Sequence, residues 1–600
     1  MAGGIGLVLS IARDAMAAQQ YGIYVSGHNI SNVNTEGYSK QSAVQEAKRP
    51  APFGGVLLGR GVDTTQITRS SDQIIENRVF AETSDLHSYE SMSNYMIALE
   101  AMFNENSDTS LSNLIGDFWN RWHDIANNPS GTAERVALYE HSKLLANGLK
   151  DLDADLEQMD TDLTKAIEAG VERINEITRE IGNLNNEIAG MEVDASANDL
   201  RDQRNVLCAE LSEYIDTKIF EQSNGSFSIV SARGVVLVDG KDGYDLQLDG
   251  KDVEYVGSGG NLVDITDEVT KGKLGGFLEM RDEVVAEYKE NLTALTSDLI
   301  WAVNGQHSQG VGLKLFQPGE SVTGTYTTSG DLGDLDYGAV DPITGDGYYV
   351  DYSGTFNLWI GDSNGENLNS VPIDLGFGAG IDENSNLEAL RDSINDQIDL
   401  TAYADDVTAS VSGDALVLTA DGTHTFGFSD DTSNLLSALG INTFFAGSTA
   451  GSIDVNSTLA SSKDYIAAAQ IDSSTGEFAT GDNTNALAIA DLQYASREIT
   501  EHSYNRDPDI GNTSGTVRGT IEEYYHSLVG ALGIKASSVE RSVSFSKTML
   551  HELETMKESI SSVSLDEEMT QLMQYQHAYA AAAKLLSTSD EMLQTLLAAK

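Results

Sequence analysis

Cysteine, proline and positive charge are all scarce in this chain, and each shortage removes a class of proteins. One cysteine, Cys208, in 600 residues excludes an intramolecular disulfide framework and any multi-cysteine metal site. Seven prolines leave no proline-rich linker. Only 36 Lys and Arg stand against 93 Asp and Glu, giving a formal charge of -57. Nucleic acid and anionic membrane are therefore excluded as main partners, because both require concentrated positive charge. No apolar run approaches the ~18 residues of a membrane span. The apolar run Ile5–Ala12 precedes the first basic residue, Arg13, which reverses the order of a signal peptide. That segment is expected to remain in the mature protein.

Catalytic motifs are missing as well. The sequence has no H-E-x-x-H, no G-x-S-x-G, no Walker loop and no dinucleotide fingerprint. Its ten histidines are scattered, with no pair at helical ligand spacing, so no zinc site is expected. Ser544–Lys547 matches S-x-x-K but lacks every partner motif. The Asp/Gly-rich run from Asp331 to Asp351 does not follow EF-hand order and reads as solvated loops rather than a Ca²⁺ site. Cys208, within Val206–Ala209, reads as a small buried hydrophobe. No catalytic, cofactor-binding or metal residue is predicted, and the chain is not expected to be an enzyme.

What is present is a 40% apolar composition, sufficient for packed cores, and a length suited to roughly three to five domains. The charge is uneven. Residues 1–60 net +2 and residues 561–600 net -3, whereas residues 309–480 carry 26 acids against Lys314, Arg391 and Lys463, netting -23. Like charge is tolerated in solvated regions and costly where copies pack together, so the near-neutral ends suit dense contacts.

Hydrophobic spacing predicts helices at both ends and strands between. Ile5, Leu9, Ala12, Met16, Gln19 and Ile23 alternate by four and three, as does the run Leu565, Met569, Leu572, Gln576, Tyr579, Ala583, Leu586, Asp590, Leu593, Leu597. Residues 62–115 lack Gly and Pro, residues 133–215 are nearly free of them, and both read as helical, as do 274–304 and the chain from 484 onward. Past Thr217 short strands are predicted, with a hairpin at Asn224–Gly225. Residues 310–460 read as one or two β inserts with a short helix near 385–398. The predicted class is a multidomain α+β protein: a helical stem, paired N- and C-terminal coiled-coil helices, and all-β inserted domains.

Several segments are specific. Gly27–Tyr38 (G-H-N-I-S-N-V-N-T-E-G-Y) reads locally as an Asn/Ser turn closed by Gly37. As a whole it resembles the N-terminal signature N-I-[AS]-N-x-N-T-x-G-Y of the flagellar rod, hook and hook-associated proteins. Leu565–Glu568, Tyr575–Tyr579 and Asp590–Leu597 resemble that superfamily's C-terminal motifs. Asn198–Arg204 (N-D-L-R-D-Q-R), with Leu207 and Leu211, is similar to a helix of the hook-associated protein 1 family, although Asn205 stands where Asp is usual. Gly275–Asp282, Val303–His307 with Gly310, and Gly481–Leu487 are also similar to that family, without the Pro common after its Arg-Asp pair. The resemblance covers about 1–310 and 480–600.

This resemblance implies a structural subunit of the bacterial flagellum at the junction of hook and filament, self-assembled through terminal helices. The expected assembly residues are Ile5, Leu9, Ala12, Met16, Ile23, Asn29, Asn32, Asn34, Thr35, Gly37 and Tyr38. At the C-terminus they are Leu565, Met569, Leu572, Tyr575, Gln576, Tyr579, Leu586, Leu593 and Leu597. Implied partners are further copies in a ring, the hook protein, the second junction protein, and a cytoplasmic export chaperone on the C-terminal helix. The implied location is extracellular, on the flagellum, after type III export without signal cleavage. The expected domains are 1–60 with 561–600 for assembly, and 61–216 with 274–308 and 484–560 as stem. A β-rich domain takes 217–273 and parts of 309–483, and an acidic variable insert spans about 320–470. The alternatives are a hook or distal-rod subunit, or an adhesin or hydrolase activity in the 310–480 insert.

Overall fold

The computed structural model describes residues 2–598, apart from 54–55, 104–109, 193–195, 232–233, 258, 336–349 and 508–509. Helices and small antiparallel sheets divide into two units. Residues 1–94, 163–280 and 538–600 form the first, and residues 95–162 and 281–537 form the second. Most of the Asp/Gly run 331–351 lies outside the described residues. Among the described residues no helix is long and apolar enough to cross a membrane.

The first unit is built on one face of the helix Thr132–Met191. Ile167, Val171, Ile174, Ile177 and Ile181 recur every three or four residues, so they share a side, and all are buried. They meet Cys208 and Leu211 of the helix Asn198–Tyr214, Leu274 and Leu278 of the helix Gly272–Glu279, and Phe227 and Ile229 of a four-stranded sheet. Each such side chain contributes about 1.5–3 kcal/mol by leaving water. Burial pushes the Cys208 thiol up to about 12, so it packs as a hydrophobe and stays protonated. The predicted hairpin joins Lys218–Glu221 to Phe227–Val230, with Gly225 at φ 81°. The N-terminal helix Ala2–Ser31 packs along the C-terminal helix Leu565–Ala598.

The second unit centres on aromatic rings. Phe118 and Trp122, four apart on the helix Leu111–Asn127, reach Phe445 and Phe444 at centroid distances of 5.6 and 5.2 Å. Two buried side chains near the end of the helix Ala286–His307 hold that segment in place. Asn304 Oδ1 accepts from the Phe444 and Phe445 amides, and its Nδ2 donates to the Phe445 carbonyl. His307 Nδ1 donates to the Asn442 carbonyl at 2.8 Å, and its Nε2 accepts from the Ala467 amide at 3.0 Å. Asn485 ties down the same stretch by donating to the Ala467 carbonyl, and a side chain at Gly310 would collide with Asn485. Two three-stranded sheets make up the β part, with strands 321–323, 415–420 and 407–412 in one and 369–374, 355–361 and 425–429 in the other. The helix Leu387–Asp399 starts where the Asn386 side chain caps the Ala389 amide.

The structure corrects three readings. Residues 62–69 are a strand paired with Gln41–Ala47, not the start of a helix. Absence of Gly and Pro permits a helix without demanding one, and Val62, Thr64, Thr65, Ile67 and Thr68 are β-branched. Residues 497–503 and 513–519 form a hairpin inside the stretch expected to be helical. The helix Ala2–Ser31 runs on through Gly27–Ser31, so the signature's turn begins only at Asn32.

Candidate assembly junction

Asn29 closes the signature loop. Its Nδ2 donates to the Gln41 carbonyl at 2.9 Å and its Oδ1 accepts from the Gln41 amide at 3.0 Å, an amide pair that only Asn or Gln can offer. The Tyr38 hydroxyl donates to the same Oδ1 at 2.7 Å, and burial with nearby Asp199 and Asp202 raises the phenol well above its ordinary range. Asn32 donates to the His28 carbonyl and accepts from the Thr35 hydroxyl, forming the turn. Gly37 has φ 75°, and a Cβ there would also run into the Val206 side chain.

Val206 belongs to the N-D-L-R-D-Q-R helix, and the two motifs meet along it. The Ser39 amide donates to Asp202 Oδ2 at 3.0 Å, and Arg69 bridges Asp202 at 3.0 Å to Glu76 at 3.1 Å. Burial raises the Asp202 pKa despite the Ser39 amide and the Arg69 charge. Gln41 Nε2 donates to Asp199, and Asn198 donates to the Ile67 carbonyl. Asn205, the departure from the family pattern, donates to Glu76 at 3.0 Å, where an Asp would set two carboxylates together. Arg204 is fully buried, donates to Asn185 and to the Gly225 carbonyl, and stacks 3.3 Å over the Phe227 ring. Burial lowers its pKa to about 10, still far above neutrality. A cavity of about 660 Å³ opens beside this junction, walled by His28, Asn32, Tyr38, Leu184, Val206 and Leu207.

The terminal helix pair adjoins it. Lys40 donates its amide to the Ser561 carbonyl and ion-pairs with Glu568 at 3.1 Å and Glu567 at 3.2 Å. Burial works against the Lys40 charge, but both glutamates hold its pKa above the ordinary value. On the helix Ala2–Ser31, Ala12, Ala18, Gly22, Val25, Ser26 and Asn29 are buried. Ile5, Leu9, Met16 and Ile23 are half-buried. On the C-terminal helix the least exposed stripe is Glu568, Leu572, Tyr575, Tyr579, Ala582, Leu586, Ser589 and Leu593. Leu565, Met569, Gln576 and Leu597 fall outside it and are exposed, as are Asn34, Thr35 and Gly37 in the turn. Counting large apolar residues chose Met569, whereas close helix packing uses Ala582 and Ser589 against an alanine- and glycine-rich partner. Lys40, Arg69, Asp199, Asp202 and Glu568 were missed as site residues. Asp199 and Asp202 were visible within N-D-L-R-D-Q-R, but no local pattern marked Lys40, Arg69 or Glu568.

Residues 96–322 match the family described as "Flagellar hook-associated protein FlgK helical domain", and residues 558–599 match "Flagellar basal body rod FlgEFG protein C-terminal". Flagellar hook-associated protein 1 of Escherichia coli is 25% identical, the alignment covering 98% of this chain and 99% of that protein. Its Bacillus subtilis counterpart is also 25% identical, over 98% of this chain and 97% of its own. The flagellar hook junction protein FlgK of Burkholderia pseudomallei, a solved structure, aligns with TM-score 0.49 and 16% identity over 81% of this chain and all of that one. With both ends of the axial pattern present and relatives aligned along nearly its whole length, this chain is similar from end to end to the flagellar hook-associated protein 1 family.

Proposed function

We propose that the chain is a structural subunit at the junction between flagellar hook and filament, working by self-assembly of its terminal helices rather than by catalysis. One observation carries this reading. The C-terminal motif helix Leu565–Ala598 keeps an outward apolar stripe of Leu565, Met569 and Met573, and the helix before it, Ile521–Ser561, keeps another of Phe545, Met549, Met556 and Ile560. A soluble monomer has little reason to expose such rows, whereas a tube of subunits buries them. Further copies, the hook protein and the second junction protein are the proposed neighbours on this surface, with coiled-coil packing between helices. An export chaperone is proposed to cover the C-terminal helix before assembly. Residues 1–60 with 561–600 are proposed as the assembly domain, and the acidic β region as its solvated projection. The location that follows is the external flagellum. Electron microscopy of a strain lacking this chain tests the reading: hooks without filaments are expected, and normal filaments would refute it.

A further inference from the structure

Asp406 immediately precedes the strand Val407–Ser412, Asp421 follows Ala415–Ala420, and His424 precedes Thr425–Ser429. The three meet where the chain leaves one three-stranded sheet for the other. His424 Nδ1 lies 3.0 Å from Asp421 Oδ1 and 3.3 Å from Asp406 Oδ1. All three donor atoms fall within 4.8 Å of one another. One ring nitrogen carries at most one proton, so it satisfies one carboxylate and leaves the other in excess. Among the described residues no lysine or arginine pairs with either carboxylate. The spacing also fits ligands sharing an ion, since bonds of about 2.0–2.2 Å place neighbouring donors about 3–3.5 Å apart. Asp421 is held in place by the Thr423 hydroxyl at 2.8 Å and the Thr423 and His424 amides at 2.8 and 2.7 Å. The Asp421 amide in turn donates to the Asp406 carbonyl at 2.8 Å. Such outer contacts orient ligands before an ion arrives.

We propose that Asp406, Asp421 and His424 bind one divalent transition-metal ion of the Zn²⁺ class, through His424 Nδ1 and one oxygen from each carboxylate. Water fills the remaining positions. The imidazole nitrogen selects against Ca²⁺ and Mg²⁺, which prefer oxygen alone. The ion would fasten the two sheets at the corner where the chain crosses between them. The spacing rule applied to the histidines missed this site because two of its ligands are carboxylates and the third sits in a turn.

The test is Zn²⁺ titration of the full chain by calorimetry, with excess Mg²⁺ present to saturate diffuse acidic binding. One saturable Zn²⁺ per chain is expected. His424→Ala and Asp406→Asn should each weaken it by at least about tenfold, whereas Asp399→Asn, an exposed acid of the same region, should leave it unchanged. Absence of saturable binding, or equal affinity in His424→Ala, would overturn the proposal. If the variants do not fold, Cu²⁺ on the parent chain decides the matter. An imidazole nitrogen coupling in its electron spin echo is expected, and a spectrum showing oxygen ligands alone overturns the site.

Discussion

The ring of Tyr575 lies against Gly22: a Cβ built on that glycine would come 2.7 Å from both Cδ1 and Cε1. The N- and C-terminal helices therefore meet at a distance that only a missing side chain allows. Gly22→Val should destabilise the first unit by about 1–3 kcal/mol through overpacking. Adding Tyr575→Ala should recover part of that loss, a coupling that denaturant midpoints of the four variants would reveal. Strictly additive effects would mean the two residues do not touch.

Arg69 joins two carboxylates that the sequence keeps far apart, Glu76 and Asp202. All three side chains are nearly buried, so Arg69→Met leaves two acids facing each other with no cation. The expected cost is about 3–5 kcal/mol, read as a lower urea midpoint. A change below about 0.5 kcal/mol, typical of surface positions, would remove Asp202 and Arg69 from the junction.

His307 gives the fold an acid limit. Burial, with both ring nitrogens already engaged, lowers its pKa to about 4 from an ordinary value near 6.5. The neutral ring is the folded form, so its stabilisation is complete above about pH 6.5 and declines as pH falls toward 4. The total is roughly 3 kcal/mol. His307→Gln should flatten the pH dependence of unfolding across that window. An unchanged slope in the variant would assign the acid sensitivity to other groups.

Excising residues 310–479 tests how far the acidic region is separable. Phe444 and Phe445 pack on Phe118 and Trp122, and Asn304 and His307 bond to 442–445 and 467. A chain joining 309 to 480 should therefore lose the cooperative unfolding of its second unit. Retained cooperative unfolding would show that these contacts are dispensable.

A formal charge of -57 sets a salt dependence. Raising ionic strength from about 0.1 to 1 M shortens screening from about 10 to 3 Å. Self-repulsion falls, and the melting temperature should rise. A fall on adding NaCl would mean that attractive pairs, such as Lys40 with Glu568, outweigh the repulsion.

Elements with strong local signals were legible. The isoleucine face of Thr132–Met191, the Asn224–Gly225 hairpin and the Leu387–Asp399 helix all follow from spacing or turn chemistry. The strands 41–47, 62–69, 497–503 and 513–519 were not, because each is a polar hairpin arm without a clear apolar face. At the junction the motifs were visible but their meeting was not. Asn29 and Asp202 lie on segments more than 160 residues apart, and only the fold sets Ser39 and Arg69 between them. Glu568 reads as a surface acid until Lys40 is placed against it.

The central claim is positional, so the most direct measurement is gold labelling of this chain on intact flagella. An affinity tag in the acidic β region, viewed by electron microscopy, should mark one narrow band between hook and filament. Label spread along the hook, the rod or the filament would contradict the account.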